Sequence, residues 1–266
     1  MMQEYRANKL RTALDIVRRI ENWPTALALR LWRHRPGLRL LAFRDGLNVV
    51  CRRDTRDWDV IHELLFAGGY DLALRTLSRL PGEPIVLDLG SNIGLFSLRA
   101  AAAHPRAQVH AFEPGPPNYR LFEINRLANP SLADRIHLHR EAVAGEDRTT
   151  QWRFDEQNPG ASGLYGQAGA SFPVRVRAFA DVLAALPGQI ALAKIDIEGA
   201  EYELFDRTPA ALWKRLDAIS LELHADPAAR QSQEAILQQF LNLGYQAEQE
   251  KVCSYYLHRQ LAGLPR

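Results

Sequence analysis

Short apolar runs alternate with helix-like stretches through the middle of the chain. Residues 85–89 form an apolar run that leads through a glycine-containing turn into the Ala-rich stretch 95–103. Further strand-like runs follow at 109–113, 135–139, 190–195 and 216–224. Strands separated by helical patterns are typical of βαβ units. The pattern therefore predicts an α/β fold with a mostly parallel central sheet and helices on both faces.

The first 80 residues carry a different pattern. The predicted elements are helices over 1–35, a β-hairpin over 38–43 and 47–52, and helices over 58–66 and 70–80. The hairpin rests on Asp45-Gly46, a strong turn signal between two β-like runs. We expect an N-terminal helical arm and cap segment over 1–80 and a large domain over 81–266. We interpret the basic arm as packing on its own domain, or on a second copy in a homodimer, rather than on a membrane surface.

Composition sets the broad class of the protein. The 266 residues are 47% hydrophobic and 24% charged with a net charge of +2, which is ordinary for a globular protein and gives no reason to expect a nucleic-acid partner. The two cysteines, Cys51 and Cys253, allow neither a disulfide framework nor a cysteine metal site. No apolar run approaches the ~20 residues of a membrane helix. We expect a cytoplasmic protein without an integral membrane segment.

The turn after residues 85–89 predicts a ligand site, because ligands of open α/β sheets bind beyond the carboxyl ends of the strands. Asp88 and the loop Gly90–Gly94 lie at such an end. A dinucleotide fingerprint needs glycines where this chain has Asn92 and Leu95, which argues against an NAD(P)-linked oxidoreductase, the alternative function. The spacing resembles instead the first motif of class I S-adenosylmethionine (SAM) methyltransferases. This resemblance implies a Rossmann-like sheet whose two terminal strands, 245–250 and 251–257, form an antiparallel edge.

Two acidic residues form the centre of the predicted cofactor site. Asp88 and its loop suit the amino-acid end of SAM, and Glu113, at the end of the next strand and 19 residues after Gly94, suits the ribose diol. Glu141, after the third strand, borders the adenine in this topology and either accepts a hydrogen bond from it or forms a surface pair with Arg140. The predicted cofactor-binding residues are Asp88, Gly90, Ser91, Asn92, Gly94, Glu113, Asn118, Glu141 and Ala142.

The densest polar group follows the strand 190–195. Alternation places Lys194, Asp196 and Glu198 toward one side, and Glu222 and His224 on one face of the next strand. One hypothesis is that His224 or Asp196 accepts the proton of an acceptor hydroxyl, with Lys194 and Glu222 orienting them. In a variant, a divalent cation polarises that hydroxyl, and Mg²⁺, Ca²⁺ or Mn²⁺ would suit the oxygen-rich ligands Asp196, Glu198, Glu222 and His224.

Two further features complete the prediction for this half of the chain. Glu201 begins a helix, where an acid is favoured by the helix dipole, and we interpret it as a helix-start charge. Residues 155–171 form a Gly-rich loop that we expect to close over the substrate, with Ser162 or Tyr165 in contact.

Three sequence blocks together resemble the FkbM-type SAM-dependent methyltransferases. These are residues 88–94, the block 111–114 with Asn118 and Asn125, and Lys-Ile-Asp-Ile-Glu-Gly-Ala-Glu at 194–201. The resemblance covers roughly residues 45–225 and implies O-methylation of a sugar, glycan or polyketide-like hydroxyl. A non-catalytic SAM-binding protein is the remaining alternative. The sequence leaves open the acceptor, the need for a metal, the oligomeric state and the role of the first 35 residues.

Overall fold

The computed structural model describes residues 12–31, 36–154, 162–164, 169–225, 231–251 and 253–259. The described helices are α1 (12–19), α2 (Trp23–Leu31), α3 (Asp57–Leu65), α4 (Asp71–Leu77), α5 (Leu95–Ala103), α6 (Pro116–Leu127), α7 (Pro130–Ala133), α8 (Phe179–Ala185), α9 (Glu201–Arg207), α10 (Ala210–Trp213) and α11 (Gln233–Asn242). The described strands are β1 (Leu38–Ala42), β2 (Asn48–Arg52), β3 (Ile85–Leu89), β4 (Gln108–Phe112), β5 (Ile136–His139), β6 (Ala142–Ala144), β7 (Arg148–Phe154), β8 (Ala170–Ala178), β9 (Leu192–Ile195), β10 (Ala218–Glu222), β11 (Gln246–Lys251) and β12 (Ser254–His258).

The main sheet has seven strands within the described residues, in the order β11–β12–β10–β9–β3–β4–β5. The strands β10, β9, β3, β4 and β5 are parallel, and β12 runs antiparallel to both β10 and β11. β3 and β9 are almost entirely apolar and buried, as expected for central parallel strands. The predicted α/β, Rossmann-like class I fold with an antiparallel edge is confirmed.

Chain connectivity reverses between β3 and β9. From β3 the chain proceeds to β4 and β5 on one side, and it returns to β9 and β10 on the other. The carboxyl ends of β3 and β9 therefore form a crevice, the usual ligand position in open α/β sheets. The turn after β3 is pressed against the segment after β9, since a Cβ on Gly90 would lie 1.8 Å from the Asp196 carbonyl oxygen. Gly90 also has φ 76°, so only glycine fits this turn.

The segment before β3 shares an apolar core with the sheet. Ile20, Leu41 and Ile61 belong to the same buried cluster as Val86 and Val109. The predicted hairpin is present as β1 and β2, and the predicted helices as α3 and α4. Residues 1–11 and 32–35 of the predicted arm lie outside the described residues, and its described helices are α1 and α2. The division at residue 80 stays a prediction.

A second sheet differs from the sequence analysis. It has three described strands in the order β6–β8–β7, with β6 parallel and β7 antiparallel to β8. The third main strand, predicted over 135–139, is β5 and ends at His139, whereas residues 142–144 after it form β6 and pair with β8. None of the helices in the described part of the chain has the length and apolar character needed to cross a membrane.

Candidate functional site

A cleft opens at the carboxyl ends of β3 and β9. It contains about 1060 Å³ of empty space, part of which is open to solvent, and is thus in the size range of small-molecule sites. The lining residues are Val60, Glu63, Leu64, Tyr70, Gly90, Ser91, Asn92, Ile93, Leu95, Phe96, Phe112, Glu113, Pro114, Asn118, Ala142, Val143, Trp152, Ser162, Leu164, Lys194, Asp196, Ile197, Glu198, Ala200 and Glu222. Most of the predicted site residues are therefore brought together.

Asp88, on β3, is fully buried and is not among the residues that line the cleft. Its Oδ2 accepts a hydrogen bond from Ser97 Oγ at 2.6 Å. Its Oδ1 accepts no hydrogen bond from the described residues and lies 3.7 Å from Lys194 Nζ. Burial raises the pKa of Asp88, and the Lys194 charge opposes this rise. The carboxylate is thus fixed on one side and has an unused acceptor on the other.

Glu113 is held by the backbone on both of its oxygens. Oε2 accepts from the Asn92 N–H at 2.9 Å and Oε1 from the Gly115 N–H at 2.8 Å. Burial raises the pKa of Glu113 to about 8, although these two N–H groups act in the opposite direction. A carboxylate accepts about four hydrogen bonds, so both oxygens keep capacity for hydroxyl donors of a ligand.

The glycine loop supplies further unused polar atoms. Ser91 Oγ and Asn92 Oδ1 line the cleft and are buried without a hydrogen-bond partner among the described residues. Asn92 has φ 51°, the left-handed conformation that asparagine tolerates. Buried polar groups without partners are costly in a folded protein. These two atoms therefore fit a polar ligand such as the amino-acid end of SAM.

The remaining predicted cofactor residues have different positions. Asn118 and Ala142 line the cleft, and Asn118 Oδ1 accepts from Arg52 at 2.8 Å. Gly94 is the N-cap of α5 and does not line the cleft. Glu141 does not reach it either, because its carboxylate lies 3.3 Å from Arg175 and 3.6 Å from Arg177, both on β8. The sequence analysis anticipated a surface ion pair for Glu141 but named Arg140 as the partner.

Lys194 is a nearly buried cation at the meeting point of β3 and β9. Its Nζ donates to the Gly90 carbonyl oxygen at 2.8 Å and lies 3.1 Å from Asp196 Oδ2. Burial alone would lower the pKa of this ammonium, but the charges of Asp196 and Asp88 outweigh burial and raise it. Lys194 therefore stays charged and orients both carboxylates.

His224 lies behind the cleft, in contact with four carboxylates. Its Nδ1 is 2.9 Å from Glu201 Oε1, and its Nε2 is 3.3 Å from Glu198 and 4.0 Å from both Asp196 and Glu222. Burial lowers the pKa of His224, but the hydrogen bond and charge of Glu201, followed by the other acids, raise it to about 10. The imidazole is therefore protonated at neutral pH.

Two of these acids titrate near neutrality. Burial raises the pKa of Glu198 and of Glu222 to about 7, and neighbouring Asp196 contributes to both shifts. Asp196, Glu198 and His224 offer ligand atoms within 4.8 Å of one another, close enough to share a metal ion. Glu222, the fourth predicted ligand, is not part of that group. Metal binding stays a prediction.

The family model of the methyltransferase FkbM domain matches residues 88–247, which is more than half of the chain and includes the glycine loop, Glu113 and the acidic group around Lys194. The chain belongs to the FkbM methyltransferase family. The predicted family is confirmed.

The chain is also similar to individual proteins that are named methyltransferases. This chain is 28% identical over 189 residues to "Methyltransferase 1" of Beauveria bassiana, and the match covers 62% of this chain and 73% of the relative. It is 27% identical over 176 residues to the 31-O-demethyl-FK506 methyltransferase FkbM of Streptomyces tacrolimicus, covering 54% of this chain and 66% of the relative. A solved methyltransferase FkbM from Methylobacillus flagellatus KT superposes with a TM-score of 0.46 at 17% identity, covering 70% of this chain and about half, 48%, of that chain.

Several residues of the FkbM site were missed by the sequence analysis. Glu201 does act at a helix start, since it accepts from the N–H groups of Ile197 and Gly199, but it also binds His224. Tyr70 and Trp152 line the cleft from outside the main sheet. Tyr70 has φ 64°, a strained conformation for a tyrosine, which no local sequence signal indicated.

The Gly-rich loop is only partly described. Ser162 is buried and lines the cleft, in agreement with the expectation that this loop approaches the ligand. Tyr165 lies outside the described residues.

Proposed function

We propose that this FkbM methyltransferase transfers a methyl group from SAM to a hydroxyl oxygen of a sugar, glycan or polyketide-like acceptor. The observation that carries the proposal is a single cleft lined both by the buried acid Glu113 with the glycine loop and by the carboxylates Asp196, Glu198 and Glu222. The name of the Streptomyces tacrolimicus relative describes an O-demethyl compound as its substrate. It therefore supports oxygen as the methyl acceptor.

The described residues fit SAM. Glu113 would hold the ribose diol, Asp88 and the loop with Ser91 and Asn92 would hold the amino-acid end, and Ala142 would border the adenine. When bound, SAM would supply an electrophilic methyl group for transfer. The segment before β3 acts as a cap in this proposal, because Glu63 and Tyr70 and their neighbours line one side of the cleft.

The acceptor hydroxyl needs a base, because it is a poor nucleophile at neutral pH. Asp196 and Glu222 both line the cleft, and the pKa of Glu222, about 7, suits a base at neutral pH. His224 is already protonated and lies behind them, so we assign it to positioning rather than to proton removal. Lys194 fixes Asp196 at 3.1 Å. The chain's part in catalysis is then to align the acceptor, which supplies much of the rate enhancement, and to take its proton.

Calorimetric titration with SAM, S-adenosylhomocysteine (SAH), NAD and NADP tests the cofactor. We expect binding of SAM and SAH only, abolished in Asp88→Ala and Glu113→Ala, with Asp134→Ala as an exposed control. Methyl transfer from labelled SAM to a panel of hydroxylated acceptors then tests the reaction. Binding of NAD but not SAM would favour the oxidoreductase, and SAM binding without any transfer would favour a non-catalytic SAM-binding protein.

We propose that the reaction needs no divalent cation. Any ion shared by Asp196, Glu198 and His224 would have to displace the proton that these acids hold on His224. Activity should therefore survive EDTA and should not rise with added Mg²⁺, Ca²⁺ or Mn²⁺. Loss of turnover in EDTA that one of these ions restores would establish the metal-dependent variant instead.

A further inference from the structure

We infer that Trp152, on the small three-stranded sheet, binds the ribose of the cofactor through its indole N–H. This assignment rests on the proposed function, because it takes SAM or SAH as the ligand. It adds a residue from outside the main sheet to a site that the glycine loop and Glu113 otherwise form.

The indole N–H of Trp152 is a buried donor that has no partner among the described residues. The side chain is 6% exposed, and Nε1 is inaccessible and makes no hydrogen bond to the described residues. Leaving such a donor unpaired is unfavourable, because its hydration is lost and not replaced. Trp152 also lines the cleft. A ligand atom in the cleft would remove this cost.

The position of Gly115 shows what the N–H faces. A Cβ added to Gly115 would lie 2.8 Å from Glu113 Oε1 and 3.2 Å from Trp152 Nε1. The carboxylate and the indole N–H therefore flank the same small space, which glycine leaves open. Gly115 has φ −68°, so this space, rather than backbone conformation, is what a larger residue would disturb.

The chemistry of the two groups is complementary toward a diol. A carboxyl oxygen that carries no proton only accepts hydrogen bonds, and an indole N–H only donates them. A ribose hydroxyl does both, so one hydroxyl can donate to Glu113 while its oxygen accepts from Trp152. A carboxylate alone would leave the oxygen lone pairs of the hydroxyl unused.

The small sheet holds Trp152 in place. Along β7 the side chains of Trp152 and Phe154 are buried while that of Arg153, between them, is exposed. Arg52 lies over the Phe154 ring at 5.9 Å and donates to Asn118, another residue of the cleft wall. This packing anchors β7 to the main domain at the level of the cofactor cleft.

Calorimetry with SAH and its 2′-deoxy and 3′-deoxy forms tests the inference. Trp152→Phe keeps the ring packing and removes the N–H, so its Kd for SAH should rise about five- to tenfold, the usual effect of one lost hydrogen bond. The same substitution should change the Kd of one of the two deoxy forms far less. Trp213→Phe, in the core away from the cleft, is the matched control and should bind SAH like the unmodified protein.

A measurement on the unmodified protein does not depend on the variant folding. In ¹⁵N-tryptophan-labelled protein, one of the five indole N–H signals should shift strongly with SAH and become protected from exchange. Among the described tryptophans only Trp152 lines the cleft. An unchanged Kd in Trp152→Phe, or five indole signals that SAH leaves in place, would overturn the inference while SAH binding itself upheld the proposed function. Absence of SAH binding would remove both.

Discussion

Lys194→Met provides the sharpest test of how the two halves of the site are held together. The substitution keeps an unbranched side chain but removes a charge that is nearly buried. It leaves the Gly90 carbonyl oxygen without its donor at 2.8 Å, and Asp196 and Asp88 without a cation at 3.1 and 3.7 Å. Breaking a buried ion pair by removing one partner costs about 3–5 kcal/mol. We therefore expect the free energy of unfolding of Lys194→Met to be lower by this amount at pH 7.

The pH dependence of this loss identifies its cause. Lys194 opposes the rise in the pKa of buried Asp88, so its removal should raise that pKa further. The folded variant then binds a proton that the unfolded chain releases above pH ~4. Because the folded state holds more protons, the free energy of unfolding falls as pH rises, by up to about 1.4 kcal/mol per pH unit. The deficit, meaning the difference in unfolding free energy between the unmodified protein and Lys194→Met, should therefore be smallest near pH 5 and grow toward pH 8.

Urea unfolding at pH 5, 6, 7 and 8 measures both quantities. Lys214→Met is the matched control, since Lys214 is exposed, and it should stay within about 0.5 kcal/mol of the unmodified protein at each pH. A deficit for Lys194→Met below about 1 kcal/mol at pH 7, or one that does not change with pH, would refute the view of Lys194 as the cation that opposes protonation of Asp88.

Three more predictions concern the turn, the base and the hairpin contact. Gly90→Ala should abolish SAH binding, because its Cβ would lie 1.8 Å from the Asp196 carbonyl oxygen; Gly46→Ala, with φ 92° and open space around it, should cost only about 1–3 kcal/mol in urea unfolding. SAH binding by Gly90→Ala that is as tight as SAH binding by Gly46→Ala would contradict this reasoning. The kcat of methyl transfer should rise through pH 7 as Glu222 loses its proton, and Glu222→Gln should lower kcat by about 10²-fold or more and flatten that rise. Asn125→Ala removes three hydrogen bonds to β2 and the glycine loop and should lower the unfolding free energy by about 2–4 kcal/mol; a loss under 0.5 kcal/mol would argue against that contact.

The central sheet was predictable because its signals are local. Each of β3, β4 and β9 is a short apolar run bounded by a turn, and parallel strands joined by helices place their carboxyl ends at one edge. The position of Glu113 beside the glycine loop follows from that rule. Lys194, Asp196 and Glu222 are likewise brought to one edge, as the alternation of residues predicted.

The strand pairing of the second sheet was not predictable from the same signals, although the strand character of residues 149–154 and 172–177 was. Residues 142–144 are apolar and follow β5 after two residues, so the hydrophobic pattern cannot distinguish an extension of β5 from a separate strand. Their partner β8 lies more than 25 residues further along the chain. The ion pairs of Glu141 depend on this strand pairing, because both arginines that contact its carboxylate are on β8. Trp152 was missed for the same reason.

The acidic group shows how a correct local interpretation can still be incomplete. The sequence placed Glu201 at a helix start, and the structure has it there, accepting two backbone N–H groups. Its contact with His224 joins residues on different elements, and that contact raises the pKa of the imidazole. His224 thereby changes from a candidate base into a fixed cation. The alternation pattern placed His224 among carboxylates but gave no indication of its charge.

The resulting order of charges fits the proposed cationic cofactor and hydroxyl acceptor. Asp196, Glu198 and Glu222 line the cleft, whereas His224 lies behind them and Lys194 is nearly buried. Lys194 and the partly exposed His224 hold the carboxylates in place, and these carboxylates form one wall of the cavity. Such a wall favours a sulfonium over a phosphate-bearing ligand, and it places proton acceptors where an acceptor hydroxyl would arrive.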